Sequence, residues 1–225
     1  FLQGQLTINL DKVKPGEYFL AAHCNPKGRM ESLFHLTKIK DINNNNDNDN
    51  YDCYDLIMPE DIINHAKAKL EFYAKFSPVK MEILEKDLSL NFNNRFVQIK
   101  NKTPYLTSKT VGVFLPSDLN LESYGAVDFD KGCFTGQEVI ARMHYLGKAK
   151  KSCVFVNIKS FESLNSFGDL DILDNLHGEN IYLDEDMMQK AGEIICIAME
   201  KGSDSMAAIL SIQNKFLENI GDVFV

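Results

Sequence analysis

The most informative stretch of this chain is Lys131-Gly132-Cys133-Phe134-Thr135-Gly136-Gln137-Glu138, which places a cysteine between two glycines just before a helical pattern. Thr135 and Glu138 have the spacing of a capping box, so we predict a helix that starts at Gly136. Its apolar residues recur at helical spacing: Val139, Ile140, Met143 and Leu146. Gly147 then stands where a left-handed C-terminal cap belongs.

Cys133 is the candidate reactive residue. The unpaired N–H groups of the predicted helix N-terminus and the nearby Lys131 both favour a thiolate over a thiol. Gly132 and Gly136 remove side-chain bulk on both sides, so that a ligand can approach the backbone. A free cysteine is more often a small buried hydrophobe, and that alternative stays open at this point. We predict a reactive Cys133 thiol whose thiolate Lys131 favours.

The same eight residues resemble the signature of the YgfZ family, folate-binding proteins related to the T-protein (aminomethyltransferase) of the glycine cleavage system. The resemblance continues in separate blocks of sequence: 114–121 and Val139-Ile140-Ala141-Arg142 around the signature, and 1–7 and 21–29 near the start of the chain. The chain departs from the family in one respect. The lead-in to the signature follows soon after residues 73–79, so the middle lobe is expected to be shortened.

The resemblance implies an α+β fold with two parts. T-protein-like folate-binding lobes are expected over residues 1–147, and a small C-terminal β-barrel over residues 148–225. In the second part, short β-rich runs at 152–158, 193–199 and 205–213 favour strands.

Further elements are predicted from local patterns in the first part. Strands over 18–24 and 29–39 are joined by Asn25-Pro26-Lys27-Gly28, which suits a type I turn. The tract 43–50 has no apolar residue and is predicted to be a surface loop. Another strand is expected over 51–58. A helix from Pro59 to about Phe76 follows, with one apolar stripe: Ile62, Ile63, Ala66, Leu70, Tyr73 and Phe76. Weaker strand patterns cover 79–85 and 92–100.

Composition narrows the functional classes. The 225 residues are 44% hydrophobic, which suffices for a substantial core, and no apolar run approaches the roughly 18 residues that span a bilayer. We therefore expect no membrane insertion. The five cysteines form no Cys-x-x-Cys pair, which argues against a disulfide framework and against a self-contained metal or iron-sulfur site. A reducing, cytoplasmic setting is expected.

The chain is acidic overall, but it contains one basic segment. The formal net charge of −8 opposes a broad electrostatic grip on nucleic acid. Positive residues nevertheless cluster within and after the predicted signature helix: Arg142, Lys148, Lys150 and Lys151. This basic segment, 142–151, is predicted as a contact for a folate glutamate tail or for transfer RNA, although a solvated charged face is an equally good interpretation. Arg142 could also pair with Glu138, one helical turn earlier.

The resemblance implies a folate-binding accessory protein that maintains iron-sulfur enzymes and thereby supports transfer RNA modification. Tetrahydrofolate is the expected cofactor, and reduced folate and iron-sulfur enzymes are the expected partners. Catalytic roles fall to Cys133 and Lys131. The expected folate-binding residues lie in and just after the signature: Gly132, Gly136, Gln137, Glu138 and Arg142. Two alternatives stay open, namely a tetrahydrofolate-dependent aminomethyltransferase and a non-catalytic module that binds RNA or protein.

Overall fold

A computed structural model describes residues 1–39, 52–84, 95–147, 150–159, 173, 175–183, 188–200 and 205–219. The first part holds an antiparallel sheet of three strands in the order β1-β2-β3. These are β1 (Phe19–Cys24), β2 (Met30–Lys38) and β3 (Tyr54–Ile57). The predicted hairpin is confirmed, since β1 and β2 pair from Phe19 opposite Leu36 to Cys24 opposite Met30.

Helices follow the first sheet and lead to a second one. The helices are α1 (Glu60–Ala74), α2 (Arg95–Lys100) and α3 (Gln137–Leu146). The second sheet is antiparallel, with strands in the order β4-β7-β6-β5. Its strands are β4 (Lys151–Lys159), β5 (Asn180–Tyr182), β6 (Lys190–Met199) and β7 (Ser205–Gln213). The α+β class and a C-terminal β region are therefore confirmed, while closure of this sheet into a barrel stays a prediction.

One hydrophobic cluster joins the two parts of the chain. It combines Leu20 and Leu33 of the first sheet with Cys196 and Ile209 of the second. Burial of apolar surface stabilises such a core by about 25 cal/mol per Å², so each part stabilises the other. The predicted division at residue 147 therefore separates two sequence regions that share one core.

Helix α2 lies where a strand was predicted over 92–100, and for the described residues that prediction was wrong. Phe96 and Ile99 are buried. They are three positions apart, so they share one face of a helix, and α2 packs against β6 and β7. A short apolar run is compatible with the periodicity of a helix and with that of a strand, and here tertiary packing favours the helix.

Two other local predictions also need correction. Residues 79–84 form neither helix nor strand, because no described strand pairs with them to satisfy their backbone groups. On α1 the stripe is buried at Ile62, Ala66 and Leu70, but Phe76 is fully exposed because it lies beyond the end of the helix at Ala74. The predicted loop over 43–50 lies outside the described residues. Among the helices that the structure describes, none combines the length and apolar character that crossing a bilayer requires.

His23 gives the fold a predictable acid sensitivity. Its ring is fully buried in β1, edge-on to Tyr73 at 5.9 Å, and burial lowers its pKa to about 4. The nearby charge of Glu31 opposes this shift. In the unfolded chain a histidine titrates near 6.5, so between pH 6.5 and 4 the unfolded state binds a proton that the folded state does not.

Unfolding is therefore favoured as the pH falls through this window. From pH 7 to pH 5, His23 should lower the free energy of unfolding by about 2 kcal/mol. Urea denaturation at the two pH values tests this in the wild type and in His23→Phe, which keeps an aromatic ring beside Tyr73. The variant should show the smaller pH dependence, and an equal dependence in both proteins would contradict the assignment.

Candidate functional site

Lys131 anchors the signature loop, residues 131–136, to the start of the chain. Its ammonium donates hydrogen bonds to three backbone carbonyls, those of Gln3 (2.6 Å), Leu6 (2.6 Å) and Ile8 (2.8 Å). The same ammonium lies 5.1 Å from the ring centroid of Phe134. Burial lowers the pKa of Lys131 to about 8, so the amine is mostly protonated at pH 7. All three ammonium N–H groups thus have acceptors on the N-terminal segment, residues 1–13.

Cys133 is exposed on this loop. The backbone on its C-terminal side is held against the N-terminal segment, because the N–H of Thr135 donates to the carbonyl of Gly4 at 3.1 Å. Buried Phe134 fixes the neighbouring position in the core. The alternative of a buried cysteine is therefore wrong for Cys133, whose thiol is held at the surface between two anchored residues.

The capping box predicted for Thr135 and Glu138 was wrong. Helix α3 starts at Gln137, and its N-cap is Gly136, which has no side chain to accept a cap hydrogen bond. The hydroxyl of Thr135 instead donates to the side-chain oxygen of Gln5 at 3.2 Å. The hydroxyl therefore ties the loop to the N-terminal segment rather than capping the helix.

Gly136 is required by a close approach of the signature loop to the β1–β2 hairpin. Its φ is +84°, and a Cβ at this position would lie 2.5 Å from the carbonyl oxygen of Asn25 and 3.0 Å from the Cα of Gly28. Both the backbone conformation and the lack of space exclude a larger side chain. Gly136 thus faces the hairpin, which indicates a role in shaping the loop.

The other predicted ligand residues are more accessible. A Cβ at Gly132 would meet nothing within 4 Å, so open space adjoins the backbone beside Cys133. Gln137 is half-buried and its side-chain oxygen accepts from the N–H of Phe134 at 3.4 Å. Glu138 and Arg142 are exposed on α3. Among the ion pairs between described residues, none joins these two side chains.

The basic segment is less concentrated than the sequence predicts. Lys150 is exposed, whereas the ammonium of Lys151 pairs with Glu193 at 2.6 Å. Lys148 lies outside the described residues.

Gly147 ends α3 with an extended backbone, φ −86°, so the predicted left-handed cap was wrong. Glycine is nevertheless needed there, because a Cβ would lie 2.6 Å from the carbonyl oxygen of Met143.

Sequence reasoning missed the part that the N-terminal segment plays in the site. Gln3, Gly4 and Gln5 contact the signature loop across about 130 positions of sequence. No local pattern in residues 1–13 signals these contacts, since the acceptors are mostly backbone carbonyls that any residue carries. Lys131 gives no sequence signal either, because it stands between Asp130 and Gly132 and its burial appears only in the structure.

Comparisons with known proteins bear on the family and the fold of the chain. No protein-family model matches the chain. A protein of Colwellia psychrerythraea named tRNA-modifying protein YgfZ is 24% identical over an alignment of 277 positions, gaps included, which covers 94% of this chain and 79% of the relative. Further bacterial proteins of the same name are 22–25% identical. These similarities support a YgfZ-family assignment. An uncharacterized protein of Haemophilus influenzae is 28% identical over 198 residues, 71% of this chain and 67% of that protein.

A solved structure shows the fold that this chain adopts. It is aminomethyltransferase T of the glycine cleavage system from Bartonella henselae, with a TM-score of 0.51 and 11% sequence identity. The match covers 96% of this chain and 73% of that protein. At this identity the likeness shows the fold alone, and it confirms the T-protein-like architecture that the sequence resemblance implies.

Proposed function

We propose that this chain supports transfer RNA modification, as the names of its YgfZ relatives indicate for them. Within that role, the protein maintains iron-sulfur enzymes and uses Cys133 as its reactive thiol, with reduced folate as cofactor. One observation carries the proposal. The Cys133 thiol is exposed on a loop whose flanking residues, Lys131 and Phe134, are both buried and anchored.

The loop geometry suits a thiol that meets a partner from solvent. Anchoring on both sides fixes the position of the cysteine before a partner arrives, which lowers the entropy lost on reaction. Open space beside Gly132 leaves the backbone accessible on the side next to the thiol. An inert buried cysteine needs neither feature.

The fit of tetrahydrofolate to the predicted residues is only partial. Gly132, Glu138 and Arg142 are exposed and can meet the polar parts of a ligand, and Arg142 carries the charge that a glutamate tail requires. Gly136 faces the hairpin and Gln137 bonds within the loop, so these two shape the surface instead. When bound, a reduced folate would supply one-carbon chemistry. No reaction step through it follows from the residues present.

The proposed role of Cys133 is tested by Cys133→Ala. We expect normal folding, because an exposed side chain contributes within about 0.5 kcal/mol to stability. In a bacterial strain that lacks its own YgfZ relative, the variant should leave iron-sulfur-dependent transfer RNA modification at the level of the empty vector. Modified nucleosides are measured by mass spectrometry, and folding is measured by thermal denaturation.

Cys53→Ala is the matched control, since Cys53 is also exposed and lies far from the signature loop in sequence. It should restore modification as the wild type does. Full rescue by Cys133→Ala would overturn the thiol mechanism. If rescue were instead lost in Lys150→Ala, a non-catalytic module that binds RNA or protein would be favoured. Transfer of an aminomethyl group to tetrahydrofolate by the purified chain would favour the aminomethyltransferase alternative.

A further inference from the structure

The first strand of the second sheet, β4, has one open edge. The sheet has the order β4-β7-β6-β5, so β4 pairs on one side only, and all nine of its residues pair with β7. This pairing contains no register shift, whereas the pairings of β5 with β6 and of β6 with β7 each contain one. Bulges and very short edge strands commonly protect a sheet edge from further pairing. The long, regular β4 has neither kind of protection.

The hydrogen-bond pattern shows which backbone groups of β4 point outward. The N–H of Asn214 donates to the carbonyl of Lys150 at 2.9 Å, and these residues stand directly opposite each other, one step beyond the pair Lys151–Gln213. Opposed residues of an antiparallel ladder bond to each other in alternate pairs. Even-numbered residues of β4 therefore bond to β7, and the N–H and C=O groups of the odd-numbered residues point away from it: Lys151, Cys153, Phe155, Asn157 and Lys159. Among the backbone hydrogen bonds between described residues, none uses these outward groups.

Both faces of β4 are apolar beside this edge. Cys153 and Phe155 pack against the cluster that joins the two parts of the chain, and Val154 and Val156 pack against a second cluster, which includes Ile194. All four of these β4 side chains are only half-buried. A further strand at the edge would cover more of their apolar surface while it bonds to the outward backbone groups.

Two exposed lysines lie at the ends of the open edge. Lys150 directly precedes β4, and the ammonium of Lys100 donates to the side-chain oxygen of Asn157 at 2.7 Å. Lys151 is neutralised by Glu193 at 2.6 Å, but among the ion pairs between described residues none involves Lys100 or Lys150. From Lys150 to Asn157 an extended strand covers about 24 Å. The edge therefore favours negative charge near both of its ends.

We propose that β4 is the docking edge for an extended segment of a partner protein, apolar in its middle and acidic near both ends. The outward groups select a strand over other ligands, because an extended backbone offers donors and acceptors at the matching spacing. The two lysines add the preference for acidic ends. A second copy of β4 fits poorly, since the strand begins and ends with lysine and like charges would meet.

This inference goes beyond the proposed function, because it assigns a protein partner to the second part of the chain and involves neither Cys133 nor Lys131. Its test needs only the purified chain and a synthetic peptide. Absence of peptide binding would leave the thiol proposal standing, and full rescue by Cys133→Ala would leave the docking edge standing.

The probe is a fluorescein-labelled peptide of eight residues, in which threonine and valine alternate between an aspartate at each end. Fluorescence anisotropy should show saturable binding to the purified chain. The same peptide with lysine at both ends should bind about tenfold more weakly at low salt, because two favourable charge contacts are replaced by repulsion. The difference should shrink as added salt screens the charges.

Asn157→Pro tests the backbone pairing. Proline removes the outward N–H of this residue and breaks no hydrogen bond to β7, so the melting temperature should change little. Peptide binding should fall by about tenfold, because one hydrogen bond of the edge is lost. Asn157→Ala keeps the N–H and is the matched control. Lys100→Glu, at an exposed site, should remove the preference for the acidic peptide over the lysine peptide.

Three results would overturn the proposal outright: no saturable binding of the acidic peptide, equal binding of both peptides by the wild type, or equal binding by Asn157→Pro and Asn157→Ala. A dimer that the wild type forms and Asn157→Pro does not form would assign the edge to a second copy of the chain instead. Tighter peptide binding after deletion of residues 220–225 would assign the edge to the end of this chain and would also contradict a partner protein.

Discussion

Gly136→Ala should lower the free energy of unfolding by about 3 kcal/mol, because two costs coincide at this position. A Cβ in the left-handed conformation costs about 1–2 kcal/mol, and overpacking costs a similar amount. The new Cβ would lie 2.5 Å from the carbonyl oxygen of Asn25, and backbone cannot move aside as a flexible side chain can. For a chain of this size the melting temperature should fall by about 10 °C.

Two other glycines allow the conformational cost to be separated from the cost of overpacking. Gly16 also has a φ of +84°, but a Cβ there would meet nothing within 4 Å. Gly16→Ala should therefore show the conformational cost alone, about 1–2 kcal/mol. Gly132 has neither restriction, so Gly132→Ala should change stability by less than about 0.5 kcal/mol. Thermal denaturation of the three variants tests the series. Equal stability of Gly136→Ala and Gly132→Ala would show that the loop does not need the close approach to the hairpin.

The sequence predicts the signature helix well because its apolar spacing is local information. The predicted start at Gly136 differs from the observed α3 by one residue, and Gly147 is the C-cap as predicted in position, though not in conformation. The cap chemistry was wrong because Thr135 finds a partner from the other end of the chain, Gln5. A capping box describes only what neighbouring residues can do, and a distant partner can displace it.

The short elements show the same limit more strongly. Residues 92–100 were predicted as a strand, yet α2 is a helix because Phe96 and Ile99 pack onto the second sheet. By contrast, strands β4, β6 and β7 were predicted close to their observed bounds. Strands β6 and β7 are paired on both sides and β4 is paired with β7, so the local preference and the tertiary environment agree.

The candidate site also shows the difference between what local sequence indicates and what contacts with distant residues decide. The sequence identifies Cys133 from its neighbours, and the structure places it at the surface. The prediction that Lys131 favours the Cys133 thiolate rests on proximity in sequence alone. The structure gives the Lys131 ammonium three carbonyl acceptors on the N-terminal segment. A positioning role for Lys131 therefore competes with the electrostatic one, and the two roles predict different results.

Lys131→Met should lower the free energy of unfolding by about 3 kcal/mol. Methionine fills a similar volume but donates no hydrogen bond, so the carbonyls of Gln3, Leu6 and Ile8 lose their donor, and each unsatisfied buried group costs about 1–3 kcal/mol. Removal of the buried charge offsets part of this cost. The N-terminal segment should open first, which amide hydrogen exchange at residues 2–8 would detect as faster exchange than in the wild type.

Lys12→Met is the matched control, because Lys12 lies on the same segment and its ion pair with Asp128 involves an exposed ammonium. Exposed ion pairs add little to stability, so this variant should exchange and melt much as the wild type does. The rate at which iodoacetamide alkylates Cys133 separates the two roles of Lys131. Slower alkylation with unchanged hydrogen exchange in Lys131→Met would favour the electrostatic role and contradict the positioning role. Faster exchange over residues 2–8 would show that the lysine holds the loop to the start of the chain, and thereby fixes where the Cys133 thiol is presented.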